Sequence, residues 1–197
     1  MASLEAPRRI TELDAVNIML RNIGESPVAV LGPTAKPTAQ NAQAMLAEES
    51  IRVASKGYNY STERNLKLSP NTAGEILLPD NILSFHPTGS SAALDIQEDG
   101  GKIYNSRDNT FKFDQPIYVE AVLAKPFRNL PQPVRWFVAI SAAMRFANAE
   151  NPGGASLRVT AQDVQEAKTS LDVYDRRLRK GGLRAHNPHF RRLRGNR

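Results

Sequence analysis

At 197 residues, with 41% apolar residues, the chain is long enough for one sizeable domain or two small ones, each with a buried core. It has no cysteine, which excludes disulfides, thiol catalysis and thiolate metal sites. The net charge of +6 is unevenly placed: nine Lys/Arg and no acid lie from Arg176 onward, leaving residues 1–175 with 17 basic against 20 acidic side chains, a net of −3.

The N-terminal ten residues carry Pro7, Arg8 and Arg9 but no apolar leader stretch. No apolar run approaches the roughly 18 residues that span a bilayer, so a soluble, unprocessed protein with no membrane insertion of its own is expected. The first helix begins at a capping box, Thr11 with Asp14, preceded by Ile10 where a hydrophobic staple would sit. Leu13, Val16, Leu20 and Ile23 then fall on one face. Gly24 stops the helix and Pro27 prevents its resumption.

After a loop containing Gly32, Pro33 and Pro37, a second helix is predicted from Thr38 to about Lys56, with Ala44, Ala47, Ile51 and Ala54 as its stripe and Leu46 and Val53 alongside. Gly57 ends it, so the pair reads as a helical hairpin. From Tyr58 to about Phe127 the period changes to two. Short runs at residues 66–68, 76–78, 82–85, 94–96, 102–104, 111–113 and 117–122 alternate with Gly, Pro, Asn and Asp, the pattern of a small antiparallel β region. Asp99-Gly100-Gly101 marks a hairpin turn within it.

Helical spacing returns after Pro131 and Pro133. Trp136, Ala139, Ala143 and Phe146 form one stripe and Phe137, Ile140, Met144 and Ala147 the next, predicting the most buried helix of the chain. Asn151-Pro152-Gly153-Gly154 breaks it. A fourth helix starts near Thr160, capped by Asp163, and repeats Val164, Ala167, Leu171, Tyr174 and Leu178 until Gly181-Gly182. The fold class is therefore α+β: a four-helix bundle from residues 11–57 and 131–181, an inserted antiparallel β module over 58–130, and a basic, extended C-terminal arm over 182–197.

Residues suited to catalysis are scattered. His186 and His189 lack an acidic or thiol companion, and His86 stands alone before Pro87. Gly89-Ser90-Ser91 is not a nucleophile elbow, and the glycine pairs lack the spacing of a phosphate loop. Glu48-Glu49, Glu98-Asp99 and Asp172 with Asp175 are paired acids such as a glycosidase uses, but all read as solvated surface charges. No catalytic, cofactor or metal site follows.

The basic end is the candidate binding element: Arg176, Arg177, Arg179, Lys180, Arg184, Arg191, Arg192 and Arg194 with Phe190 and Leu193. Such a segment can neutralise phosphates, or it can order against an acidic protein groove through bidentate Arg–carboxylate pairs. The acidic body favours a protein neighbour, because a dedicated DNA binder spreads basic charge over its folded face.

Several motifs in order carry a resemblance: Glu12-Leu13-Asp14-Ala15-Val16-Asn17 with Ile23-Gly24-Glu25 and Pro27-Val28, then Lys56-Gly57-Tyr58, Leu77-Leu78-Pro79-Asp80-Asn81, Gly100-Gly101-Lys102-Ile103-Tyr104, Phe113-Asp114, and Pro133 to Phe146 around Arg135-Trp136. From about residue 11 to 180 the chain resembles the tail tubular protein A family, head-to-tail adaptors of T7-like short-tailed bacteriophages. Gly57-Tyr58 replaces the Gly-Trp usual in that family, keeping an aromatic anchor. The resemblance implies a non-enzymatic virion protein without cofactors, assembled in the host cytoplasm into a twelvefold ring. Its implied partners are the portal ring, the tail nozzle (tail tubular protein B), tail fibres, and double-stranded DNA passing through the channel. The Arg-rich end falls outside it. Two other readings stay open, a DNA-binding accessory protein acting through the basic end and a tail-associated polysaccharide hydrolase.

Overall fold

The computed structural model describes residues 8–150 and 158–183, with side chains as far as Leu178. In chain order the elements are α1 (Glu12–Asn22), α2 (Pro37–Ala54), β1 (Thr62–Leu68), β2 (Ile82–Pro87), β3 (Ile96–Asp99), β4 (Lys102–Asn105), β5 (Ile117–Leu123), α3 (Gln132–Glu150) and α4 (Ala161–Leu183). The class is α+β. Contacts divide the chain into two units, residues to Ser50 together with those from Pro126, and Ile51–Lys125, so the last turn of α2 groups with the strands.

In the helical unit α3 packs against both α1 and α4. The capping box of α1 is present: Asp14 N–H donates to Thr11 Oγ1 at 3.2 Å, and Thr11 N–H donates to Asp14 Oδ2 at 2.9 Å. At the other end Gly24, at φ +82°, lets its own N–H reach the Arg21 carbonyl and that of Glu25 reach the Leu20 carbonyl. This double bond pattern uses two carbonyls that the helix leaves open.

The buried face of α1 is Ala15, Val16, Met19 and Leu20, with Leu13 and Ile23 only half-buried. The expected stripe is thus turned toward residues 15 and 19. A larger correction concerns α2. Its buried residues are Ala39, Ala42, Leu46, Glu49, Val53 and Ala54, while Ala44 and Ala47 are exposed and Ile51 is 48% exposed. Alanine lies on both faces, so hydrophobic contrast alone could not choose between them.

Helix α3 is lined by buried residues, including Val134, Phe137, Val138, Ile140, Phe146 and five small ones, as predicted for the innermost helix. Trp136 departs from its predicted stripe and is 41% exposed. Asn22 knits three segments of this unit: its Nδ2 donates to the Ala143 carbonyl at 2.9 Å, and its Oδ1 accepts from Val159 N–H at 2.8 Å. The predicted Asn151–Gly154 breaker lies outside the described residues. The cap of α4 is again reciprocal, Asp163 N–H to Thr160 Oγ1 at 3.2 Å and Thr160 N–H to Asp163 Oδ2 at 2.7 Å. Gly181-Gly182 does not stop this helix, which continues to Leu183.

The second unit holds a three-stranded antiparallel sheet in the order β1-β5-β2 and the hairpin β3-β4. β5 alternates strictly, burying Ile117, Val119, Ala121 and Leu123 against a core that includes Leu68, Ile76, Leu78, Ile103 and Phe113. The runs predicted as strands at 76–78 and 111–113 make single bridges near Leu77 and Lys112 instead of ladders. Gly100 and Gly101, at φ +59° and +74°, close the β3-β4 hairpin. Two successive positive φ values are what a type I′ turn demands. β1 bulges between Glu63 and Leu66, where Asn65 sits at φ +58°, and Asn65 Oδ1 lies 3.2 Å from where a Cβ on Gly89 would stand.

Candidate assembly surfaces

Arg135 lies at the first turns of α3 and is 7% exposed. Its guanidinium has no carboxylate among its hydrogen-bond partners. Nε donates to the Leu130 carbonyl at 2.7 Å, Nη1 to that of Ile10 at 2.8 Å, and Nη2 to that of Arg128. Burial pulls its pKa down and the nearby charge of Arg9 adds to the effect, yet a guanidinium stays charged under such conditions. A planar fork of donors spread over three nitrogens satisfies three main-chain carbonyls at once, a reach that the compact ammonium of lysine lacks. Its role is structural, fixing the segment before α1 to the base of α3.

Asn17 plays a similar part within the first motif. Its side chain accepts from Val28 N–H at 2.8 Å and donates to the Val28 carbonyl at 3.0 Å. Lys36 then holds the loop, contacting Glu25 at 2.5 Å and the Ser26 carbonyl at 2.9 Å. The spacing between Asn17 and Pro27-Val28 therefore records a folded-back loop.

Two acids expected on the surface are buried. Glu49 is fully buried on α2, accepting from Ser141 Oγ at 2.5 Å and from Arg145 Nη1 at 2.7 Å, both on α3. Asp175 on α4 is 5% exposed. Their neighbours Glu48 and Asp172 do face solvent wholly or in part, Asp172 at 3.3 Å from Lys168. Glu98 and Asp99 are exposed at the hairpin. None of these three pairs lines the cleft around Ser91 in the β unit.

The β unit contains a cleft of about 580 Å³ lined by Ser90, Ser91, Asn105, Asp108, Asp114 and Tyr118 among others. No histidine lines it, and two of its polar side chains hold local structure. Ser91 Oγ accepts from Tyr118 N–H at 3.0 Å, and Asp108 Oδ2 accepts from Asn105 Nδ2 at 2.8 Å. His86 is exposed, 3.9 Å from Glu120. Among the described residues no group of three His, Asp or Glu is placed to hold a metal, and no helix is long and apolar enough to cross a membrane.

What the surface does offer is unpartnered apolar area. Val30 is 64% exposed, Leu77 57%, Leu178 45% and Trp136 41%, spread over both units. Of the basic residues singled out in the sequence, Arg176 and Arg177 are exposed on α4, and Arg179 and Lys180 follow on the same helix. These four are helical, as expected of residues before Gly181-Gly182. Arg184, Phe190, Arg191, Arg192, Leu193 and Arg194 lie outside the described residues.

A family model described as tail tubular protein matches residues 13–181. The chain belongs to the tail tubular protein family. A tail tubular protein A of Klebsiella phage KP34 is similar to it, 27% identical over 160 residues that cover 81% of this chain and 84% of that protein. Tail tubular proteins are structural components of the bacteriophage tail, and this places the chain in the virion. The motif residues now have physical roles: Thr11-Asp14 caps, Asn17 holds Val28, Gly100-Gly101 turns the hairpin and Arg135 fastens the N-terminal segment.

Proposed function

We propose that this chain is a ring-forming adaptor that joins the portal to the tail nozzle and fibres and lines the channel through which DNA leaves the capsid. The observation that carries the reading is the family match across residues 13–181, with a relative of similar length named tail tubular protein A. In this reading the helices act as one bundle that packs side by side around a twelvefold ring, and the β unit offers a second surface to the nozzle or fibres. The net charge of −3 over residues 1–175 supports it, since an acidic wall repels the phosphates of sliding DNA where a basic wall would grip them. Exposed Val30, Leu77 and Trp136 are the kind of apolar surface that assembly covers. The basic stretch after α4 reaches the portal or a neighbouring subunit.

The test mixes purified protein with the portal ring of the same virus and images the mixture by negative-stain electron microscopy, beside each component alone. An added collar beneath the portal is the expected result. Bare portals beside free protein at several salt concentrations would sink the proposal. Truncation after Gly181 is expected to weaken docking while helical circular dichroism is retained.

A further inference from the structure

The core stripe of α4 outruns its cover. Ala167 and Leu171 are buried, as is Asp175 one turn on, yet Leu178, next on the stripe, is 45% exposed. The helix continues to Leu183 all the same. Arg176 and Arg177 flank this turn and are exposed, and Arg179 and Lys180 come directly after. The result is an exposed apolar knob with Arg176 and Arg177 beside it. Nucleic acid would use the arginines and leave the knob idle.

The same helical unit carries a surface of opposite character. On the outer side of α2, Gln40, Ala44 and Ala47 follow one another at 4-3 spacing, turned away from buried Ala39, Ala42 and Leu46. With Gly32, Pro33 and Glu12, these three line a shallow cleft of about 480 Å³. Gln43 lines it too and donates to Glu12 Oε1 at 2.9 Å, and Glu48, next to Ala47 in the chain, is exposed. Here the apolar element is a recess and the charge is negative.

We infer that the turn of α4 centred on exposed Leu178 docks on the outer face of α2 in a second copy of this chain. The inference rests on the ring-forming reading above and names the two faces that meet. Charge complementarity favours a second copy, because residues 1–175 are net negative while nothing after Asp175 is acidic. The two patches differ, so the contact is head-to-tail, the kind that repeats from copy to copy and closes when the rotation allows. Leu178 fills the recess as the anchor, and Arg176 and Arg177 face Glu12 in its lining and Glu48 beyond Ala47.

Because the native chain has no cysteine, one engineered pair reports the contact without background. The full-length double variant Ala47→Cys with Leu178→Cys is oxidised mildly, alone and in collars formed on the portal, then run on a non-reducing gel. A ladder of disulfide-linked multimers is expected, and an equal mixture of the two single variants is expected to stop at dimers. Collars without a ladder would overturn the contact while leaving the ring reading intact. A compact monomer with an internal disulfide, or self-pairing of the Leu178→Cys variant alone, would also overturn it. Absence of both collar and ladder would remove the ring reading and this inference together. Independently, Leu178→Asp is expected to keep its helical circular dichroism and weaken self-association in sedimentation by about tenfold or more; unchanged association would count against the knob.

Discussion

The Ile10 carbonyl accepts a hydrogen bond from Arg135 at 2.8 Å across 125 residues of sequence. One turn away on α3, Gln132 Oε1 accepts from Ile10 N–H at 3.0 Å, so both main-chain groups of a single residue are held by one helix. A clamp of this kind fixes where α1 begins before any packing along its length is counted.

Replacing Arg135 by alanine removes all three carbonyl bonds and is expected to cost about 3 kcal/mol, because partly buried acceptors lose a charged donor. Lysine should recover only a part, lacking the fork. Trp136 is the sole tryptophan and sits in the same helix, so its fluorescence through a urea titration follows this unit. A midpoint unchanged by Arg135→Ala would refute the clamp.

Glu49 with Ser141 and Arg145 tests whether α2 is held by charge. Glu49→Gln is expected to cost roughly 1–2 kcal/mol, since a buried charge-assisted bond is weakened while volume is kept. Ser141→Ala should cost about the same. The two substitutions touch one another, so their sum should exceed the double variant by more than about 0.5 kcal/mol. Strict additivity in the thermal or urea data would show that the bond carries no coupling.

The caps predict an acid limb of stability. Hydrogen bonds from the Thr11 side chain and backbone hold the Asp14 carboxyl below its ordinary value of 3.8, and the Thr160 backbone and side chain do the same for Asp163. For a carboxyl depressed by folding, the stabilisation is complete above the unfolded value and is lost as pH falls through the folded one. Stability from Asp14 should thus be level from neutrality down to about pH 5 and decline below about pH 4. Asp14→Asn is expected to flatten that decline and cost about 1 kcal/mol at pH 7. An acid limb identical in slope to that of the native chain would rule out this origin.

Gly100 gives a test in the β unit. At φ +59° it should accept asparagine with little loss, whereas valine is expected to cost about 1–2 kcal/mol because a branched side chain resists the left-handed region. Hydrogen exchange at Ile103 and Leu78, whose N–H groups bond to Ile76 and Gly101, would report the change locally. Equal protection in the two variants would contradict the turn assignment.

Where the chemistry of a position is local, the sequence spoke plainly. Thr11 with Asp14, Thr160 with Asp163 and Gly100-Gly101 each act within four residues, so their spacing is their mechanism. The orientation of α2 was hidden because alanine at 39 and 42 is chemically identical to alanine at 44 and 47. One signal was available. Ala39, Ala42, Leu46, Glu49 and Val53 keep an unbroken 3-4-3-4 rhythm with a single acid inside it, which is how a partnered core carboxylate looks in sequence. Arg135 and Trp136 show the opposite problem: adjacent on a helix, the charged one is buried and the aromatic one half-bare. The carbonyls of Leu130, Arg128 and distant Ile10 explain the first.

The placement of β5 between β1 and β2 sets a timetable for synthesis on the ribosome. Both earlier strands must wait, each with an unpaired edge, until residues 117–123 emerge. α1 waits longer still, since its partner α3 begins only at Gln132. The strand-rich segment, contiguous over Ile51–Lys125, can close while the helical unit is still missing half its chain. The nascent protein therefore exposes an uncovered amphipathic helix through most of its translation, a window in which chaperone capture competes with aggregation.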